Sequence, residues 1–288
     1  MAFACIHTHS NFCDGSDDIE TICRTAHEKG MHSVGFSSHA PITAKTGMSG
    51  GWIMNDEKLD AYLECVRAAK KRWEGRIAVF LGLEVDYIEG LMGPADSDYR
   101  EMNLDYIIGS VHFVVPPHGA PFTVDDSAEN VDRGVREGYG GDARAMMAAY
   151  WEAEEAMIRA GGFDVLGHPD LVKKNNSNMR LFPENDEYYR NKTALIAALM
   201  CGTGIPAEIN TGGISRGKIK DCYPSLEFLK LFHECGVPMV INADAHCARD
   251  LDGNYDIACE SMLAAGYTET VIFGGRENGQ AVWEKVKL

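Results

Sequence analysis

The sequence predicts an α/β fold in which about seven or eight βα units form a parallel sheet closed into a barrel. Three observations carry that expectation. Short apolar runs alternate with helix-patterned stretches from end to end, the composition does not break anywhere along the chain, and polar residues gather just after the apolar runs. No Gly-x-Gly-x-x-Gly follows the first run, as a dinucleotide-binding sheet would require. With 288 residues, 45% of them hydrophobic, the chain can bury the core of one domain over 1–288.

Residues 1–6 form the first apolar run, a buried strand that ends at His7 and His9. Ser16 or Asp17 then caps a helix running to about Lys29, with Ile19, Ile22, Cys23 and Ala26 on its inner face and Gly30 as its stop. A strand over 33–36, a Gly-rich loop over 46–51 and a helix over 55–73 follow. Strands are expected over 77–81 and 106–108, and 116–141, rich in Gly, Pro and Asp, reads as a long loop able to cover a site. Beyond it come a helix over 143–160, a strand over 163–166 and a helix over 183–200 with Pro183 in its first turn. Strands over 206–209, 237–241 and 270–273 alternate with helices over 225–235, 256–265 and 277–286.

The formal net charge of −16, from 27 basic and 43 acidic residues, disfavours a nucleic-acid partner, because phosphate backbones are bound by Lys/Arg stripes. No apolar run is long enough to span a bilayer and the N-terminus lacks a signal-peptide pattern, so no membrane partner and a cytoplasmic location are expected. Nine scattered cysteines without a Cys-x-x-Cys pair point to reduced thiols. Cys13 and Cys247 stand beside candidate metal ligands, with buried packing as the alternative role. A small phosphorylated substrate would need a strongly positive local site on this acidic chain, and metal ions are the obvious source.

The predicted strand ends supply candidate ligands. His7 and His9, two apart in extended chain, point to the same side. Later strands end in Ser37-Ser38-His39, Gly82-Leu83-Glu84, Gly109-Ser110-Val111-His112, Gly167-His168-Pro169-Asp170, Glu208-Ile209-Asn210 and Asn242-Ala243-Asp244-Ala245-His246. In a parallel barrel all these ends share the face that carries the active site. Six of ten histidines fall there, with Asp14, Glu84 and Asp244 beside them. Imidazole plus carboxylate without a thiolate cluster suits Zn, Mn or Fe.

These residues resemble the polymerase-and-histidinol-phosphatase (PHP) superfamily of metal-dependent phosphoesterases. The likeness covers nearly the whole chain through HTHSNFCDG, SSHAP, GLEVDY, GSVHF, GHPDL and NADAH in that order. DYIIGSVHF, FDVLGHPDLVKK and EINTGGISRG followed by YPS point to its histidinol-phosphate phosphatase branch. The resemblance implies a distorted (β/α)7 barrel of TIM-like type with a trinuclear metal centre. His7, His9, Glu84 and Asp244 would hold one ion; Glu84 would bridge to a second with His112 and His168; Asp14, His39 and His246 would hold a third. Two departures stand out: Asn242-Ala243 replaces the usual Gly-Ser, a change expected to be harmless, and the loop after Phe113 differs, which bears on the leaving-group pocket.

The chemistry expected from three divalent ions is hydrolysis of a phosphate monoester by a hydroxide bridging two of them, with the equatorial oxygens held electrostatically. The foremost substrate is L-histidinol phosphate, as in histidine biosynthesis; another phosphorylated metabolite or a nucleotide is the alternative, and a non-catalytic metal-binding protein is the reading from a different class. Asp244 and His246 are candidates for moving a proton as well as for ligation. Arg216 is a candidate phosphate clamp, with a solvated loop arginine as the alternative. Lys173 and Lys174, close after His168, could serve likewise but are expected at the surface, Glu208 and Asn210 at the rim, and Asp170 behind a histidine, orienting it.

Overall fold

The computed structural model describes residues 3–288, so Met1 and Ala2 of the first predicted strand lie outside the described residues. Eleven strands follow in chain order: β1 (Ala4–Cys5), β2 (Ser33–Phe36), β3 (Ala78–Asp86), β4 (Tyr106–Ser110), β5 (Phe113–Val114), β6 (Phe122–Thr123), β7 (Val165–Leu166), β8 (Ala207–Asn210), β9 (Met239–Asn242), β10 (Glu269–Glu277) and β11 (Gln280–Lys287). Seven of them pair in parallel in the order β1-β2-β3-β4-β7-β8-β9. The two edges of this sheet meet through a parallel bridge between Thr8 and Ala245, where the His9 amide donates to the Ala245 carbonyl at 2.8 Å and the Ala245 amide to the His7 carbonyl at 3.1 Å. The result is a nearly closed, distorted (β/α)7 barrel.

Helices cover the outside. The first, Ile19–Glu28, starts where Asp18 accepts the Thr21 amide at 2.7 Å, and it buries the predicted face of Ile19, Ile22, Cys23 and Ala26. The expected helices over 55–73, 143–160, 225–235 and 256–265 are present as Leu59–Arg72 (after a 3-10 turn at Asp56–Lys58), Ala143–Ala160, Leu226–Glu234 and Tyr255–Ala265. The one expected over 183–200 begins only at Glu187, because Asp186 caps it by accepting the Tyr189 amide.

Period-two alternation sorts the long strand β3. Val79, Leu81, Leu83 and Val85 join the core shared with the helices, which leaves Phe80, Gly82, Glu84 and Asp86 for the barrel axis. The lower interior is apolar, built from Ile6, Phe80, Tyr106, Ile108, Val165 and Val240. A side chain at Gly82 would come within 2.5 Å of the Tyr106 ring, and one at Gly35 within 2.5 Å of its hydroxyl, so these glycines make room for a tyrosine at the axis. Tyr106 in turn donates its hydroxyl to the Ile6 carbonyl. Higher up, the interior turns polar at Glu84, Ser110 and His112.

Three expectations are corrected. Residues 270–273 are a strand, but one outside the barrel sheet: β10 pairs antiparallel with β11, and Val271, Phe273 and Trp283 of this ribbon close the apolar bottom of the barrel. Residues 277–286 are therefore not a helix. Asn278-Gly279, both at positive φ, make the two-residue turn that such hairpins favour. The segment 116–141 is not a structureless loop either. It completes the β5–β6 hairpin and carries the helix Ala128–Gly138, capped by Ser127 and buried through Val131 and Val135. Among the described residues no helix is long and apolar enough to cross a membrane, and no disulfide joins the described cysteines.

Candidate metal centre

The mouth at the C-terminal ends of the strands holds all the side chains expected there. Imidazole centroids lie 5.3 Å apart for His7 and His9, 4.4 Å for His9 and His39, 4.2 Å for His9 and His246, and 4.8 Å for His112 and His168. Glu84 stands among them at the top of β3. Its Oε2 lies 3.0 Å from His39 Nδ1 and 3.2 Å from His7 Nε2; its Oε1 lies 2.9 Å from His168 Nε2 and 3.6 Å from His112 Nε2. Asp244 Oδ1 is 3.0 Å from His9 Nε2, and Asp14 Oδ2 is 3.1 Å from His246 Nε2.

Donor atoms within 4.8 Å of one another fall into overlapping groups that could hold an ion: His9, Asp14, His39 and His246; His7, Glu84 and His168; His7, His9 and Asp244; His39, Asp86 and His112. The donor set fits divalent cations on its own chemistry. His7 Nε2, His9 Nε2, His39 Nδ1 and Glu84 Oε2 are all buried and make no hydrogen bond. Buried polar atoms are rarely left that way, and these four face one another. Neither cysteine joins these groups: Cys13 Sγ is 3.5 Å from His9 Nδ1, and Cys247 donates to Asp250.

Other residues aim the imidazoles. Glu208 is the chief of them and corrects the expectation of a rim position. On β8 it alternates with Ala207 and Ile209, so it and Asn210 face the interior and are fully buried. Both Glu208 oxygens contact His7 Nδ1, at 2.9 and 3.1 Å. Asp86, two residues after Glu84 on the same face, accepts from His112 Nδ1 at 2.8 Å. The sequence signal for both was the period-two alternation.

Asp170 orients no histidine: it takes the Lys173 ammonium at 2.8 Å and the Ser225 amide at 2.8 Å. Lys173 is thereby buried rather than exposed. Lys174, also expected at the surface, pairs with Asp125 at 2.9 Å in the wall of the cavity above the cluster. Arg216 is not a solvated loop residue. Its Nη2 donates to Asp244 Oδ2 at 2.8 Å, and its Nη1 to the Asp244 carbonyl at 2.9 Å and to His246 Nδ1 at 3.0 Å. Asp244 itself is left-handed, at φ 47°, a conformation that costs about 1–3 kcal/mol and turns its carboxylate off the end of β9 into the cluster.

The electrostatics follow from this crowding. Burial pulls His7, His39 and His112 down, yet the carboxylates around them outweigh it. Glu208 and Glu84 raise His7 well above the usual imidazole range, Glu84 lifts His39 to about 9, and Asp86 with Glu84 lifts His112 to about 10. Burial pushes the carboxyls the other way, and the surrounding histidines win there too, holding Glu84 well below its ordinary range; Arg216 with His7 does the same for Asp244. Without an ion, then, three imidazoles hold a proton at neutral pH that a bound cation must displace. Loading the metal-free protein with Zn at pH 7.5 is expected to release about three protons per chain, and affinity is expected to rise with pH. A pH-indicator titration in weak buffer measures this; uptake without proton release would contradict the arrangement.

The comparison with known proteins fits this geometry. The PHP domain profile matches residues 6–212, most of the chain and all the barrel strands from β2 through β8. The chain belongs to the PHP family. Among PHP relatives, a probable histidinol-phosphatase of Deinococcus radiodurans is 29% identical over 272 residues, covering 94% of this chain and 96% of that protein. The histidinol-phosphatase of Bacillus subtilis is 26% identical, covering 88% and 97%. A crystal structure from Listeria monocytogenes superposes with a TM-score of 0.77 at 24% identity, over 88% of this chain and 98% of that one. The histidinol phosphate phosphatase of Lactococcus lactis, complexed with Zn, L-histidinol and phosphate, superposes with 0.64 at 19% identity, over 98% and 99%.

Proposed function

We propose that this PHP protein is a metal-dependent phosphomonoesterase that hydrolyses L-histidinol phosphate to L-histidinol and phosphate. The observation that carries the reading is the nest of buried, unpartnered imidazole and carboxylate atoms opening onto a cavity of about 690 Å³. Support for the substrate comes from the relatives, which bear histidinol-phosphatase names along nearly their whole length. Up to three divalent ions, Zn, Mn or Fe, would be held by His7, His9, Glu84 and Asp244, by Glu84, His112 and His168, and by Asp14, His39 and His246. Overlap of these sets at Glu84 suits a carboxylate with both oxygens engaged. Bound ions supply Lewis acidity and bring the pKa of a water to about 7.

The chain's own residues do the rest. Burial of the cluster keeps the local dielectric low, so each charge aimed at the phosphoryl group acts strongly. Arg216, Lys174, Lys218 and Arg180 line the cavity beside Asp14, Glu84, Asp125, Asp126 and Asp244, so bound cations would supply the net positive charge that a phosphate needs there. Arg216 keeps Asp244 and His246 in place and faces the phosphate. Asp244 and His246 are the groups placed to move a proton at the cavity floor. Trp52, with its ring 4.7 Å from His39, and the carboxylates of Asp125 and Asp126 form walls suited to a cationic aromatic alcohol. A cytoplasmic location and one domain over 1–288 complete the proposal.

The test is a panel of phosphorylated metabolites assayed with the Mn-, Zn- and Fe-loaded protein. Selective turnover of histidinol phosphate is expected. Equal turnover of unrelated monoesters would remove the substrate assignment, and no hydrolysis with any metal would remove the enzyme.

A further inference from the structure

Asn242 occupies a position where the resemblance leads one to expect a small residue, and its side chain does two things at once. Its Oδ1 lies 3.0 Å from the Ile6 amide, across the seam where the barrel closes; its Nδ2 lies 2.9 Å from Glu208 Oε2. The Ile6 N–H can only donate, so the atom facing it is the oxygen. That leaves the amide nitrogen, which also can only donate, pointing at Glu208.

Two further donors reach the same carboxylate. The Gly212 amide donates to Asn210 Oδ1 at 2.9 Å, which turns Asn210 Nδ2 onto Glu208 Oε1 at 2.9 Å. The His168 backbone amide donates to Oε1 at 2.8 Å. With three obligate donors, Glu208 is held as a pure acceptor, and its remaining partner, His7 Nδ1, must donate. Once a cation displaces the second proton of His7, its lone pair is thereby confined to Nε2, the buried atom that faces Glu84 and Asp244.

We propose that Asn242 is a positioning residue that carries hydrogen-bond direction from the barrel seam through Glu208 to His7, and so fixes the ring nitrogen that binds metal. This inference rests on the metal-centre reading. Partners of this kind are typically worth 10–100-fold in metal affinity.

Two variants separate direction from mere closure of the seam. Asn242→Asp has the same shape and can still accept the Ile6 amide, but offers Glu208 an acceptor. Asn242→Ala loses both contacts without adding a repulsive one. In the Zn-loaded full chain, release of Zn to a chromogenic chelator is expected to be about tenfold faster or more for Asn242→Asp, and faster in it than in Asn242→Ala. A wild-type release rate for Asn242→Asp, or greater impairment of Asn242→Ala, would overturn the relay. If Asn242→Asp does not fold, the ¹⁵N-histidine NMR spectrum of Zn-loaded Asn242→Ala decides. A lost or upfield-shifted His7 Nδ1–H resonance supports the relay, and an unchanged one refutes it. A wild-type protein that takes up no Zn would bring down the metal centre and the relay together, whereas normal uptake with unchanged release in the variants refutes the relay alone.

Discussion

A Glu84→Gln protein is expected to keep its fold yet lose phosphatase activity by a factor on the order of 1,000, together with part of its metal. Glu84 is 1% exposed and its two oxygens lie within 3.6 Å of five imidazoles, those of His7, His9, His39, His112 and His168. A carboxylate this deep is costly unless cations surround it. An amide of the same shape removes the negative charge and turns a donor toward one side of the cluster, where lone pairs are needed. The Ser110 hydroxyl, now 2.7 Å from Oε1, still has an acceptor if the amide oxygen takes that place, so the fold survives. Metal analysis by mass spectrometry, kcat/KM on histidinol phosphate and a melting curve together check the expectation. Full metal content and full activity in the glutamine variant would mean that hydrolysis, if any, occurs elsewhere.

Arg216→Ala is the second large effect, a fall of about 100-fold or more in kcat/KM, with Arg216→Lys recovering little of it. Its contacts to Asp244 Oδ2, the Asp244 carbonyl and His246 Nδ1 run from two separate nitrogens, which a guanidinium supplies and a single ammonium does not. The chain around it is built for the pair: a side chain at Gly212 would sit 2.8 Å from Asp244 Oδ2 and 2.9 Å from Arg216 Nη1. The kinetic constants separate its two roles. A rise in KM marks lost grip on the phosphate, and a fall in kcat marks an Asp244 that has swung out of position. An unchanged kcat/KM would remove Arg216 from both.

Much of this centre was legible in the chain because each strand delivers its functional side chain at its C-terminal end. His39, Glu84, His112, His168 and Asp244 are each found where an apolar run stops, and the barrel brings those ends to one mouth. The elements misread were those whose local pattern fits more than one structure. The Asn278-Gly279 turn just before residues 280–287 was the signal that they form a strand. Val131 and Val135, spaced by four after Ser127, marked a helix inside a stretch whose glycines and prolines suggested only loop.

The sequence by itself determined the alternation of strands and helices, the identity of the imidazoles and carboxylates, and the end of each strand at which they stand, because these depend on residue type and on periodicity within one short element. Only the tertiary structure decided what those groups face. That Glu208 lies behind His7 rather than at the rim, that Asp170 serves Lys173, that Arg216 grips Asp244 and that Asn242 spans the seam are contacts between residues 3 to 236 apart in the chain. Such contacts arise from how strands close around an axis, and no local pattern records which neighbour a buried polar atom meets there.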